Sequence, residues 1–328
     1  MSSSVYFTDF RCRNKTSLPV KLEMLLKRSG LDDLDLEGKF VAIKIHFGEA
    51  GNLAFLRHQY AAVLVSHLKA RGAKPFLTDC NTLYVGSRTN ALDHLDTANL
   101  NGYLPQTVGA QIIIADGLKG SDEVAVSIPD NQYCKAPKIG RALRDADVIV
   151  SLTHFKGHEA TGFGGCLKNL GMGGGSRAGK MEMHSEEKPQ VIESRCICCR
   201  LCSKVCAHSA QSFDTGHCVI DYSKCVGCGR CLTACPKDAI VAGPDADNNI
   251  LNFKIAEYTK AVLLDKQSFH IAIANAISPL CDCYGCNDAP ITPDIGMFAS
   301  SDPVALDKAC VDAVNAQSFF ENSALGEA

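Results

Sequence analysis

At 328 residues, with 46% hydrophobic and 21% charged side chains and a formal charge of −3, the chain is long enough for two domains or for one large domain carrying an insert. That balance excludes a disordered chain and a strongly basic nucleic-acid binder. Apolar runs such as 271–277 fall far short of the roughly 20 residues a bilayer span needs, and the first fifteen residues lack the apolar core of an export signal, so no membrane span and a cytoplasmic location are expected.

In chain order, 39–47 is a β-branched and aromatic run that predicts a buried strand, followed by the loop GEAGN and a helix over 53–71 that stops at Gly72. The unit repeats: strand 74–80, helix 88–98, strand 111–116, short strand 123–128, helix 138–146, strand 147–155. Strand alternating with helix predicts an α/β fold, a mostly parallel sheet with helices on both faces. A glycine-rich stretch, 157–179, then predicts loop, short helix and loop, with the backbone close to a neighbour. Past 245 the α/β texture resumes with helix 253–265, strand 268–276, strand 294–299 and helix 303–316. The expected domains are an α/β first part over 1–187, an insert over 188–244 and an α/β return segment over 245–328.

Cysteine is the outlier. Ten of the 18 lie between Cys196 and Cys235. In a chain expected where thiols stay reduced, this favours metal ligation over disulfides. The run CICCRLCSKVC sets Cys196, Cys199, Cys202 and Cys206 at C-x2-C-x2-C-x3-C spacing, and CVGCGRCLTACP repeats it with Cys225, Cys228, Cys231 and Cys235. This is the spacing of bacterial two-cluster ferredoxins, in which the fourth cysteine of each run crosses to the other cluster. Two [4Fe-4S] clusters follow as the expected cofactors, one on Cys196, Cys199, Cys202 and Cys235, the other on Cys225, Cys228, Cys231 and Cys206, with Cys198 and Cys218 spare. A zinc ribbon needs only four ligands, and a disulfide knot needs an oxidising compartment. The first run lacks the proline that follows Cys235, which leaves room for Cys198 to compete as a ligand.

Ligands of open parallel sheets bind at the carboxyl ends of the strands, so the residues there are the site candidates. They are His46 and Glu49 after the first strand, Asp79, Asn81 and Tyr84 after the next, Asp116 after the third, and His154, Lys156, His158 and Glu159 after the fourth. His154 and His158 suit acid–base or ligand roles. Lys168 and Asn169 among the glycines suit an anionic or carbonyl-bearing cofactor such as a nucleotide-type group, with Glu182 and His184 in the following turn. Cys281, Cys283 and Cys286, with Asp282, offer three soft ligands that begin an extra metal site without closing it.

The segments IKIHFGEAGN, FLTDCNTLYVGSRTNA, IIIADGLKG, LTHFKGHEATGFGGCLKNLGMGGGSRAGK and PDIGMFASSDPVALDKA together resemble the iron–sulfur proteins grouped as domain of unknown function 362. A more distant resemblance is to nickel-pincer lactate racemases, through His158, Gly164, Gly165, Lys168 and His184. That resemblance implies Lys168 as the anchor of a pincer nucleotide, His184 as a nickel ligand and His158 as an acid–base group. The leading expectation is a redox protein of an anaerobic setting, in which two clusters exchange electrons with a site built from His46, Asp79, His154, His158, Lys168 and His184. Its partner would be an electron donor or acceptor protein, or a small-molecule substrate. The alternatives are a pincer-type isomerase with structural clusters, and a redox sensor or assembly protein without catalysis.

Overall fold

A computed structural model describes residues 3–84, 86–184, 188–206, 208–225, 227, 229–241 and 248–327. Its seven-stranded sheet is built from Tyr6–Asp9 (β1), Phe40–Lys44 (β2), Lys74–Asp79 (β3), Gln111–Ile114 (β4), Val148–His154 (β5), Gln267–Ala274 (β6) and Gly296–Ser300 (β7). The strand order is β1-β7-β6-β5-β2-β3-β4. The run from β6 through β5, β2 and β3 to β4 is parallel, while β7 is antiparallel to both β6 and β1.

Alternation along the strands sorts side chains into two cores. Val41 and Ile43, Val148 and Val150, and Ile271 and Ile273 join one core with the helices Leu18–Arg28 (α1), His58–Lys69 (α2) and Ala91–Leu100 (α3). Ala42, Ile149, Ala272 and Ala274 face the other, covered by Cys166–Gly174 (α4), Asn248–Leu263 (α6) and Pro303–Asn315 (α7); Arg177–His184 (α5) follows α4. The small residues on this second face let α4 and α6 come close. At Gly171 a Cβ would run into the Ile255 carbonyl oxygen of α6, so only glycine fits.

From β2 the chain steps through β3 to β4 on one side and returns to β5 on the other side of β2. The carboxyl ends of β2 and β5 therefore flank the switch point, where crossover loops diverge and leave a crevice.

Several elements differ from the sequence reading. The helix expected from residue 53 starts at His58, because the Asn52 side chain caps Ala54 N–H (2.9 Å) and donates to the Tyr284 and Cys286 carbonyls (3.2 Å each), tying 52–57 to another loop. The expected helix 138–146 opens as a strand, Lys138–Gly140, paired with Glu123–Ala125, and turns helical only over Arg141–Asp145. The glycine-rich stretch holds a hairpin, Lys156–His158 with Gly162–Gly164, and then α4 and α5, because its glycines serve close packing. Strand β1 and helix α1 were not anticipated. No helix among the described residues is long and apolar enough to cross a membrane.

Between α5 and α6 lies the cysteine-rich segment. It carries two ribbons, Gln190–Val191 with Ile240–Val241 and Gln211–Ser212 with Val219–Ile220, and two short helices, Leu201–Lys204 and Arg230–Ala234. Cys202, Cys218, Ile220, Cys231, Leu232 and Ile240 form its small core, which also takes in Leu83 after β3 and Met181 of α5.

Candidate functional site

Lys44 ends β2 inside the protein. A buried ammonium needs a partner, and it finds Asp79 Oδ1 at 2.8 Å and Asn169 Oδ1 at 2.8 Å. Asn169 returns donors to the Lys44 carbonyl (3.1 Å) and Thr153 Oγ1 (2.9 Å), so one amide of α4 stitches the ends of β2 and β5 together. Beyond Asp79 lie Arg88 Nη1 at 3.7 Å and His94 Nε2 at 3.8 Å, and Arg88 Nε in turn donates to Glu49 Oε2 at 2.9 Å. Burial pushes the Asp79 carboxyl up, but Lys44, His46, His94 and Lys180 outweigh it and hold it well below the usual carboxylate range. Burial takes His94 down to about 3.

A second network occupies the β5 end. His154 Nδ1 donates to Asp282 Oδ1 and Oδ2 (3.0 and 2.9 Å), its Nε2 donates to the Asn275 carbonyl (2.7 Å), and Lys156 Nζ lies 3.1 Å from Asp282 Oδ2. Burial raises the Asp282 carboxyl, yet His154 and Lys156 hold it well below its ordinary value. Next to it, Cys281 Sγ accepts from Lys168 Nζ at 3.7 Å and from His158, whose Nδ1 takes the Ala160 and Thr161 N–H groups (3.1 and 3.2 Å).

His46 stands between the networks. Its Nδ1 accepts from Gly48 N–H (3.0 Å), which puts the ring proton on Nε2. Burial and then Arg88 hold its pKa well below that of an ordinary histidine, against the pull of Asp79 and Asp282. The arrangement therefore gathers a neutral imidazole, two ion-pair networks and a sulfur ringed by donors at one edge of the sheet.

Of the residues singled out in the sequence, His46, Asp79, His154, His158, Lys168 and Asn169 come to this edge. His184 ends α5 and meets the Tyr84 ring edge-on at 5.1 Å. Cys281 and Cys283 adjoin, but Cys286 is exposed and contributes its carbonyl to Asn52. Among the described residues no three His, Cys, Asp or Glu side chains are arranged to hold a metal ion, which applies to Cys281, Cys283 and Cys286 and equally to Cys196, Cys199, Cys202 and Cys235. Asp116 accepts from Asn81 N and Nδ2 (2.9 and 2.8 Å) and bonds the β3 and β4 loops together; burial takes its pKa up to about 6. Lys44 and Arg88 were missed. A lysine inside the run FVAIKIHF was the available signal, since a charge in a buried strand demands a counter-charge.

In the cysteine-rich segment, the two repeats have left-handed residues at the same two places. Cys198 and Arg200 of the first have φ of 54° and 61°, and Gly227 and Gly229 at the corresponding places of the second have 69° and 70°. Cys218 N–H donates to Cys196 Sγ (3.3 Å) and Ala239 N–H to Cys235 Sγ (3.2 Å), and Cys202 Sγ lies 3.7 Å from Cys218 Sγ. Cys228 falls outside the described residues.

A family model described as a domain of unknown function (DUF362) matches residues 41–312. The chain belongs to that family. Among curated proteins, this DUF362 chain is similar to archaeal glutamate synthase [NADPH] of Archaeoglobus fulgidus, 33% identical over 90 residues that make up 26% of this chain and 17% of that protein. It is also similar to NADH-quinone oxidoreductase subunit I of Pelobacter propionicus, 39% identical over 67 residues, 16% of this chain and 36% of that protein. The DUF362 chain thus matches well under half the length of these relatives. Among solved structures, it is similar to the lactate racemase apoprotein of Thermoanaerobacterium thermosaccharolyticum (10% identity, TM-score 0.49, 89% of this chain and 54% of that one) and to a Thermotoga maritima protein (13% identity, TM-score 0.49, 92% and 60%).

Proposed function

We propose that this DUF362 protein is a cytoplasmic iron–sulfur redox protein that binds two [4Fe-4S] clusters in segment 188–244 and exchanges electrons between them and the carboxyl edge of the sheet. The α/β parts would be 1–187 and 245–328. The observation that carries the reading is the doubled loop: at C-x2-C-x2-C spacing, each copy turns its chain through left-handed residues at the same two places. Such turns let three thiolates face one cubane. The sulfurs of Cys196 and Cys235 each accept a backbone N–H, as thiolates that ligate a cluster do. Cys196, Cys199, Cys202 and Cys235 would hold one cluster, and Cys225, Cys228, Cys231 and Cys206 the other. Each would supply one-electron transfer. The two relatives bear the names of redox enzymes, which agrees with this reading.

The contact of the segment's core with Leu83 and Met181 favours exchange with the sheet, since Leu83 lies four residues from Asp79. Protein purified without oxygen should hold about eight irons per chain and give reduced-cluster EPR signals with dithionite; a folded, iron-free protein under those conditions would refute the assignment. Cys198→Gly is expected to keep all the iron and to stabilise the segment by about 1 kcal/mol, because it removes a side chain from a left-handed position. Iron analysis and urea unfolding check this, and loss of iron would make Cys198 a ligand.

A further inference from the structure

Cys281 and Cys283 have no role in the ion-pair networks. The Tyr284 N–H bonds to the Cys281 carbonyl (3.1 Å) and closes a turn that brings the two cysteines together, and Cys283 N–H donates to Cys281 Sγ (3.4 Å). Cys281 is buried and Cys283 exposed. The Cys283 thiol also donates to Cys281, and with Lys168, His158 and Lys156 it outweighs burial and holds the Cys281 sulfur well below the usual thiol range, while the Cys283 thiol is driven up. Within the pair the thiolate is therefore favoured on Cys281 and the proton on Cys283, inside a ring of donors. A thiolate so placed is the reactive form of cysteine.

We propose that Cys281 and Cys283 form a dithiol–disulfide couple whose substrate is a disulfide. The inference rests on the electron-transfer reading above. The exposed Cys283 sulfur passes its proton to Cys281 and attacks the substrate disulfide, forming a mixed disulfide and releasing one substrate thiolate, which takes up a proton. Cys281, its proton passed to the departing substrate thiolate, then attacks Cys283, forming the Cys281–Cys283 disulfide and releasing the second substrate thiolate, which is protonated by solvent. If the two clusters bind as proposed they would supply two electrons, one each, and with one proton from solvent the disulfide returns to the thiol–thiolate pair. Lys168 and His158 stabilise the thiolate at each stage.

The test uses the full chain. Protein poised at a series of dithiothreitol potentials is quenched by alkylation and mapped by mass spectrometry. The peptide holding both cysteines should pass from doubly alkylated to internally cross-linked, and Lys168→Met should slow alkylation of the pair about tenfold for each unit by which the thiol pKa rises. No cross-link at any potential would overturn the proposal. In a second arm, dithionite-reduced protein freed of excess reductant is mixed with an aromatic disulfide, dithiobis(nitrobenzoate). Cluster reoxidation should be at least tenfold slower in Cys283→Ser than in the unmodified chain; equal rates would overturn the proposal. The mapping needs no clusters, so a chain without iron that still cross-links would sink the cluster assignment and leave the couple standing.

Discussion

Replacing Asp282 with alanine is expected to cost roughly 3–5 kcal/mol, the penalty for removing one partner from a buried ion pair. The carboxylate is the shared acceptor of His154 Nδ1 and Lys156 Nζ, and all three residues are buried. Without it the Lys156 ammonium keeps the His154 carbonyl at 3.3 Å and the attraction of the Cys281 sulfur but loses its carboxylate, and one side of the imidazole faces an empty space. Asp282→Asn keeps one acceptor oxygen and should cost less. Urea unfolding at neutral pH measures both. The acid limb gives a second check. The folded-state pKa of Asp282 lies below its unfolded value, so its contribution is full above about pH 4 and is lost as pH falls through the folded pKa. The gap between the unmodified protein and Asp282→Ala should therefore close in acid, and a gap independent of pH would show that lost packing, not charge, sets the cost.

How much of this could be seen in the sequence depends on whether a residue's partner is local. The strands ending at Lys44, Asp79, Ile114 and His154 were legible because short β-branched runs between helical periods have few other readings. His46, Asp79, His154 and His158 were singled out because the carboxyl ends of parallel strands are where loops converge, and Lys168 because of the glycines around it. The roles of the glycines were not. Gly165 belongs to the stretch whose glycines predict a backbone close to some neighbour, but not which one: it leaves room for the Asp307 carboxylate of α7, which caps Cys166 N–H at 2.6 Å and Leu167 N–H at 2.9 Å across about 140 residues of chain. Gly173 likewise leaves room for the Lys44 ammonium. Such contacts are set by which helix crosses which strand end, and no local pattern encodes them. The same holds for Asp282, which meets His154 only because β6 lies beside β5.

If the cysteine-rich segment holds the proposed clusters, removing their iron is expected to unfold it while leaving the sheet intact. The segment's two ribbons are two residues long on each strand, and isolated hairpins are marginal even when longer. Its core holds few side chains, several of them cysteines, and burial raises the pKa of Cys202 and Cys218, so without metal they stay as protonated thiols with weak packing power. Units this small usually depend on metal for their stability. The sheet, in contrast, rests on two large cores to which the segment contributes no residue among those described. Hydrogen exchange before and after anoxic chelation should therefore show protection lost across 188–241 and kept in β2, β3, β5 and β6. Cys231→Ala should reproduce the loss in part, since it removes both a proposed ligand and a core side chain. Protection that survives chelation would mean that the cysteine segment folds on its apolar contacts alone, and that its sulfurs are not there to hold iron.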